Sequence, residues 1–560
     1  MTVATEAHTL RSSLKYEPRE LEFGTSGRRG KVVDLTQLEV YINALAELEY
    51  LQSLLPAEGG IQRGEEFFFA RDLRVSSDSF VPELEGRGEI AQAIVAAICD
   101  ADMRAINLGT IPTPALTCYA LARHKGSMMI TGSHIPFDRN GYKTNSSMGE
   151  LRKEQEAPIN EHVRKERERL YSQDQDESLF DDRGMFRTGH HELPAEDPEA
   201  GAAWITRFTS FFNDASLRGK RILVDQQSAV GRDLLVALLE RLNAQVIAVG
   251  RSATFVPIDT ENIGAAQLAT IQALVSEATA KHGPIDAIVS TDGDSDRPLI
   301  LGVDAATGKA HFFGGDLVGM VVAEFLQADA VVVPISCNDA VDRGNLKSVV
   351  EPKTRIGSPF VIAGMEEARL SGKKRVCGWE PNGGFLTGSD ITRDSAVLPA
   401  LLTRDAILPI LSVLYAASES GVSVVDLFER LPKRFSRAAL LENFPKALGL
   451  KLVAFFSPGA SHVADLPEKS NVETLRQSLA TFFTQEMGFG EITRVDYTDG
   501  VRVLFDNGDV AHVRPSGNAD ELRIYAVADT QWRADAIAAM GVAEPNGILR
   551  CMERAVAAHP

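Results

Sequence analysis

Ser133 and His134 stand side by side behind a glycine in TGSHIPFDRNGYK (131–143), and Asn140-Gly141, a strong turn pair, leads into Lys143. A hydroxyl, an imidazole and an ammonium group in one turn-rich loop fit either a plain surface loop or a nucleophilic serine beside an acid or base. DGDSDR (292–297) places Asp292, Asp294 and Asp296 at alternate positions. Three such carboxylates repel one another unless a cation neutralises them, and hard oxygen donors suit Mg2+ or Ca2+. A calcium-binding EF-hand loop needs glycine sixth and glutamate twelfth. Here those positions hold Arg297 and Val303, which excludes it. With only three protein carboxylates, Mg2+ takes further oxygens from outside, and phosphate is their usual source.

Three looser segments carry complementary groups. GWEPNGGF (378–385) sets Glu380 and Asn382 in a glycine-rich turn, where a carboxylate and an amide can grip adjacent sugar hydroxyls. RPSGN (514–518) offers Arg514, whose guanidinium can fork onto phosphate oxygens. Ser516, the backbone around Gly517, and Asn518 add donors for an anion. FGTSGRRG (23–30) joins small residues to adjacent arginines and suits a phosphate contact. Each of the three reads equally as a plain turn when taken alone. Together, the five loops supply a nucleophilic hydroxyl, a divalent metal, a polyol grip and a phosphate clamp. That set fits phosphoryl transfer on a sugar phosphate.

The elements that must position these loops alternate along the chain. EEFFFARD (65–72) reads as a buried strand, and a helix follows around GEIAQAIVAAICDADM. KRILVDQQSAVGRDLLVALLERLNAQVIAVG (220–250) gives a strand, a helix and a second strand. AIVSTDGDSDRPLILG (287–302) holds two strands around the carboxylate loop, and AVVVPIS and KRVCGWE read as further buried strands. The alternation predicts parallel or mixed α/β sheets, in units recurring about every 100 residues. Beyond about residue 435, Asp499-Gly500 and Asn507-Gly508 between alternating runs predict antiparallel hairpins in a separate α+β domain. Residues 151–200 are polar; EHVRKERERL predicts a solvated helix, and His190 and His191 are expected to be exposed.

The chain has 560 residues and a net charge of −19, which argues against nucleic acid and anionic membrane partners. Hydrophobic residues at 44% and charged residues at 24% are ordinary for a globular protein. No apolar run is long enough to span a membrane, and MTVATEAHTLRSSLKYEPRE has no signal-peptide core. The five cysteines are scattered without a C-x-x-C, as expected of reduced thiols in the cytoplasm.

FGTSGRRG, TGSHIPFDRNGYK, DGDSDR, GWEPNGGF and RPSGNADELRIY occur in this order over residues 23–525, and with them the chain resembles the α-D-phosphohexomutase family of phosphoglucomutases and phosphomannomutases. The resemblance implies three related α/β domains with mixed sheets (1–200, 201–308 and 309–432) and a smaller α+β domain (433–560) around a central cleft. It implies that Ser133 is carried as phosphoserine, and that its phosphate joins Asp292, Asp294 and Asp296 in binding Mg2+. By the same match, Lys143 and Arg29 lie beside Ser133 for proton transfer and charge stabilisation, His134 flanks it, and Arg297 lies near the reacting phosphate. Glu380 and Asn382 bind sugar hydroxyls; Arg514, Ser516, Gly517 and Asn518 hold the non-reacting phosphate. Arg355 and Ser358, in KTRIGSPF, match a substrate-contacting turn.

The implied reaction moves phosphate between C6 and C1 of a hexose through a bisphosphorylated sugar, with hexose 1,6-bisphosphate as activator, in a cytoplasmic monomer or dimer acting on free hexose phosphates. A metal-dependent sugar-phosphate phosphatase and a non-catalytic sugar-phosphate-binding relative are the other readings. The chain departs from the family in its sugar loop, where an amide replaces the usual hydroxyl at Asn382 and Gly384 stands where a histidine often follows. In the phosphate loop Asp520 would repel an anion and is expected to point away. A lightly read C2 predicts mannose phosphate at least as good a substrate as glucose phosphate, with glucosamine phosphate poorest.

Overall fold

The computed structural model describes residues 8–24, 26–213, 215–261, 263–458, 468–516 and 520–558. The chain divides into two compact units, Met1–Val318 with Asn382–Val425, and Gly319–Pro381 with Asp426–Pro560. The division falls inside GWEPNGGF, so Glu380 and Asn382 belong to different units.

The first unit opens with a mixed sheet in the order Arg28–Lys31, Arg139–Ser146, Ser127–Ile130, Glu66–Arg71, Arg104–Asn107. The last three strands are parallel, and the Arg139–Ser146 strand runs antiparallel to both of its neighbours. The run of phenylalanines in Glu66–Arg71 buries both faces: Phe67 and Phe69 enter the main core, and Phe68 meets Tyr119 edge-on at 5.4 Å between ring centres. The helix Gln37–Ser53 starts where Thr36 accepts a hydrogen bond from Glu39 N at 3.2 Å. It packs on the helices Ile90–Asp100 and Glu156–Tyr171.

This last helix carries EHVRKERERL and is only half solvated. Ile159, Val163, Glu166 and Leu170 form a buried stripe at helical spacing, so three apolar residues dock a segment whose composition predicts exposure. Its polar groups also reach inward, with Arg167 on Glu39 at 2.7 Å and Asn160 on Arg28 at 3.0 Å. His190 and His191 are exposed as expected.

A second mixed sheet runs Gln245–Val249, Arg221–Asp225, Ala287–Thr291, Pro298–Val303, Ala310–Phe312. The first three strands are parallel and the last two antiparallel. The unit also contains the antiparallel pair Phe385–Thr387 and Leu401–Asp405.

In the second unit Ala330–Val332 pairs in parallel with Val376–Trp379. Its remaining sheet is wholly antiparallel, in the order Phe435–Glu442, Glu521–Ala528, Val510–Pro515, Val501–Phe505, Ile492–Asp496. Gly500 and Gly508 hold φ of 83° and 86° at the two hairpin turns, a conformation glycine adopts without strain. Mixed α/β sheets followed by an antiparallel α+β C-terminal region match the fold class expected from the sequence. Among the described residues no helix is long and apolar enough to cross a membrane, and none of the five cysteines is paired.

Candidate active site

Three loops of the first unit leave the carboxyl ends of parallel strands and meet, as binding loops of α/β sheets do. They follow Glu66–Arg71, Ser127–Ile130 and Ala287–Thr291. Ser133 is fully buried and holds φ at 54°, an uncommon conformation for a side-chain-bearing residue and one that clusters at functional sites. Its loop is tightly anchored. Thr131 Oγ1 accepts from Ser133 N at 2.7 Å, and Asp72 accepts from Thr131 Oγ1 at 2.8 Å and Gly132 N at 3.3 Å. Arg74 donates to the carbonyls of Ser133, Ile135 and Pro136 at 2.9, 2.6 and 3.0 Å. Its guanidinium lies 3.7 Å over the Phe255 ring. A side chain at Gly132 would meet that guanidinium at 2.6 Å, which explains the glycine before the serine.

Ser133 Oγ donates to Asp292 Oδ2 at 2.8 Å, and His134 Nδ1 stands 3.5 Å from the same hydroxyl. Asp292, Asp294 and Asp296 are all buried and each offers an oxygen within 4.8 Å of the others. Backbone N–H groups of Asp296 and Arg297 fix the other Asp292 oxygen at 3.1 and 3.2 Å. Thr113 Oγ1 and Lys143 Nζ both donate to Asp294 Oδ2 at 2.7 Å. Lys143 Nζ also reaches Asp296 Oδ2 at 2.9 Å, and Arg404 reaches that oxygen through two nitrogens at 2.7 and 3.2 Å.

The remaining oxygens, Asp294 Oδ1 and Asp296 Oδ1, are buried without a hydrogen-bond partner. Buried carboxylate oxygens need a partner, and a divalent cation would supply it to both. The residues therefore fit a metal ion with hard-ligand chemistry.

Strand register brings in a further cation. Arg29 lies opposite Gly141, two residues before Lys143, so Arg29 and Lys143 extend from one face of adjacent strands. The strands must nearly touch here, because a Cβ at Gly141 would lie 2.0 Å from the Arg28 carbonyl oxygen. Arg29 Nε and Arg297 Nε are buried without hydrogen-bond partners, which makes both candidates to hold an anion.

The charges act on one another. Burial alone would lower the Lys143 pKa, but the Asp294 and Asp296 carboxylates outweigh it and hold it above its ordinary value. Burial, and then the neighbouring Asp294 and Asp296, pushes Asp292 well above the usual carboxylate range. Asp296 is held well below it, since Arg404, Lys143 and Arg297 together overcome its burial. The Arg297 charge, followed by burial, keeps His134 well below 6.5 and hence neutral. Burial lowers Arg29 to about 10, still a cation at neutral pH.

Of the residues singled out from sequence, the structure brings Ser133, His134, Lys143, Asp292, Asp294, Asp296, Arg29 and Arg297 into this one network. Asn382, in the same unit, gives its carbonyl to Thr260 Oγ1 and its side-chain oxygen to Gly384 N, each at 2.9 Å. In the second unit Glu380 is buried at the end of Val376–Trp379. Ser358, fully buried, begins the helix Ser358–Leu370, and Arg355 lies exposed just before it. Asp499 joins this turn to Arg514: it accepts from Ile356 N at 3.0 Å and lies 3.3 Å from Arg514 Nε. Ser516 is buried, while Gly517 and Asn518 lie outside the described residues. The Asp520 carboxylate accepts from Lys446 N, the first backbone N–H of the helix Lys446–Phe455, at 3.0 Å. Sequence reasoning did not single out Asp72, Arg74, Thr113 or Arg404. For Asp72, Arg74 and Arg404 the available signal was charge at or just beyond the end of an apolar strand, as in FFFARDLR and LLTRDA; Thr113 carried none.

Family models for the phosphoglucomutase/phosphomannomutase α/β/α domain I, α/β/α domain III and C-terminal domain match residues 20–170, 314–435 and 462–543. A phosphomannomutase of Sinorhizobium fredii is 36% identical over 94% of this chain and 98% of its own length. One of Salmonella muenchen is 35% identical over 91% and 92%. A phosphoglucosamine mutase of Aliarcobacter butzleri is 22% identical over 83% of this chain and 99% of its own. Among solved structures, a phosphoglucomutase/phosphomannomutase family protein from Burkholderia thailandensis superposes with a TM-score of 0.63 at 16% identity, covering 97% of this chain and 99% of its own. The N-acetylphosphoglucosamine mutase of Aspergillus fumigatus, in complex with GlcNAc-6P and magnesium, gives 0.52 at 14% identity over 97% and 98%. By extent of match and by degree of identity, the chain belongs to the phosphoglucomutase/phosphomannomutase family.

Proposed function

We propose that this hexose phosphate mutase interconverts the 1- and 6-phosphates of mannose, with glucose phosphates as its second substrates, and that Ser133 carries the phosphoryl group between them. The observation that carries this reading is the strained, buried Ser133, whose hydroxyl meets a metal-type carboxylate cluster at 2.8 Å. Segments 1–200, 201–308, 309–432 and 433–560 are taken to bear the phosphoserine, metal, sugar and phosphate loops in turn.

Asp292, Asp294 and Asp296 would hold Mg2+, which offsets the charge on the transferring phosphoryl oxygens when bound. When Ser133 gives up its phosphoryl group, the P–Oγ bond breaks, a sugar hydroxyl oxygen forms the new P–O bond, and the proton that hydroxyl loses is balanced by one gained at Oγ, which becomes the free serine hydroxyl. Return of the other phosphate reverses these changes at Oγ, which His134 Nδ1 flanks at 3.5 Å, with proton transfer assigned to Lys143 and Arg29. Arg29, Lys143 and Arg297 supply fixed positive charge around Oγ. In the second unit, Glu380 would bind sugar hydroxyls, the turn with Arg355 and Ser358 would contact substrate, and Arg514 and Ser516 would bind the non-reacting phosphate. Asn382 is assigned to sugar hydroxyls by motif alone. Gly517 and Asn518 are assigned to the phosphate loop by motif alone. Hexose 1,6-bisphosphate would act as activator by phosphorylating Ser133.

The preference for mannose rests on the two phosphomannomutase relatives at 36% and 35% identity, against 22% for the phosphoglucosamine mutase. A coupled assay on mannose, glucose and glucosamine 1-phosphates with a bisphosphate activator tests it. Glucosamine phosphate should be poorest; a kcat/KM for it tenfold above mannose phosphate, a gap of about 1.4 kcal/mol, overturns the preference. Release of free phosphate without isomerisation overturns the mutase reading itself.

A further inference from the structure

We infer that Arg404 is a positioning residue of the metal loop, and that the bare Gly384 in the sugar loop exists to give it room. The inference rests on the reading of Asp292, Asp294 and Asp296 as metal ligands.

Arg404 belongs to the strand Leu401–Asp405 and is 4% exposed. Two of its nitrogens converge on Asp296 Oδ2, at 2.7 and 3.2 Å, beside Lys143 Nζ at 2.9 Å. That arrangement occupies one oxygen of Asp296 completely. The other, Asp296 Oδ1, is buried without a hydrogen-bond partner, with Arg297 Nε 3.6 Å away. A planar guanidinium with two contacts fixes the rotation of a carboxylate in a way a single ammonium cannot. Arg404 therefore chooses which Asp296 oxygen faces a metal, acting through Asp296 and needing no contact with the ion.

The stem of the same side chain runs beneath the sugar loop. A Cβ at Gly384 would lie 2.5 Å from Arg404 Cδ, 2.8 Å from Cγ and 3.0 Å from Cβ. Gly384 has no left-handed φ to explain it. Its lack of a side chain is accounted for by Arg404, which fills the space that any residue at 384 would enter. The bare Gly384 of the sugar loop and the arginine on the metal loop are thus one feature. Side-chain partners that orient metal ligands are worth about 10- to 100-fold in affinity or activity.

The test uses the full-length protein and Mn2+ as the probe, with affinity read by electron paramagnetic resonance and turnover measured separately. Arg404→Gln should weaken Mn2+ binding about 10- to 100-fold. It should lower kcat while leaving KM for hexose phosphate little changed, and Arg404→Lys should recover part of the loss. Gly384→Ala alters no charge and touches no carboxylate, yet should shift Mn2+ affinity in the same direction by displacing the arginine. Its effect should not add to that of Arg404→Gln in the double variant, since both act through one contact. Unchanged Mn2+ affinity in Arg404→Gln overturns the inference. Tighter binding overturns it too, because Arg404 would then be only a competing positive charge. If Arg404→Gln does not fold, Arg404→Lys and Gly384→Ala decide by the same measurement. Wild-type protein that fails to bind Mn2+ at the three aspartates would sink the metal-site reading instead, and is distinguished by that control alone.

Discussion

Asp72→Asn is the substitution that most directly probes how the Ser133 loop is held. Both oxygens of Asp72 are in use. Oδ2 accepts from Thr131 Oγ1 and Gly132 N and lies 3.3 Å from Arg74 Nε. Oδ1 accepts from Arg74 N at 3.0 Å and Ser77 Oγ at 3.1 Å. An amide must turn its NH2 toward one of these sets, and each contains a backbone N–H that cannot turn round. One buried N–H is then orphaned, at a cost of about 1–3 kcal/mol. The Arg74 guanidinium also loses its counter-charge; breaking a buried pair costs about 3–5 kcal/mol. Arg74 keeps its three carbonyl acceptors and the Phe255 ring, so a combined loss of about 3–5 kcal/mol is expected. A domain has only about 5–15 kcal/mol in all, so the loop should open well before the rest of the first unit. A shift of about 1 Å in a reacting group can cost about 100-fold in rate, and kcat should fall by that order. Steady-state kinetics, urea unfolding and amide exchange over residues 131–136 measure the three effects. An Asp72→Asn enzyme with kcat within about threefold of wild type and an unmoved urea midpoint refutes this account of the loop.

Ser133→Ala should abolish mutase turnover and remove the single phosphate that mass spectrometry should find on the wild-type protein. Chelation should abolish activity and added Mg2+ should restore it. His512 is buried, donates through Nε2 to the Asp499 carbonyl at 2.5 Å, and has its pKa lowered to about 4 by burial. The unfolded chain binds a proton near 6.5 and the folded one does not until about 4, so stability falls as pH drops through that window, by about 3 kcal/mol in full. His512→Gln should remove that part of the acid loss, seen as a flatter stability profile of the second unit between those values. Asp499→Ala removes the oxygens that hold both Arg514 and the Ile356 turn; KM for hexose phosphate should rise more than kcat falls, and the reverse pattern would count against Arg514 as a substrate-binding group.

The local sequence determined much of this protein. Apolar runs ending in charge marked the buried strands, and Asp-Gly and Asn-Gly marked the C-terminal hairpins, because strand burial and tight turns depend on neighbouring residues alone. The serine and aspartate loops were legible for the same reason: each carries its chemistry within a few positions. The helix Glu156–Tyr171 was misjudged as solvated because its composition is polar and only its spacing shows the buried stripe. What the tertiary structure alone decided is how these loops meet. Ser133 reaches Asp292 across 159 positions, and Arg404 reaches Asp296 across 108. No periodicity links residues so far apart. Sheet order and strand register make them neighbours, and only then does Gly384 read as space for an arginine and Gly141 as the closeness of two strands.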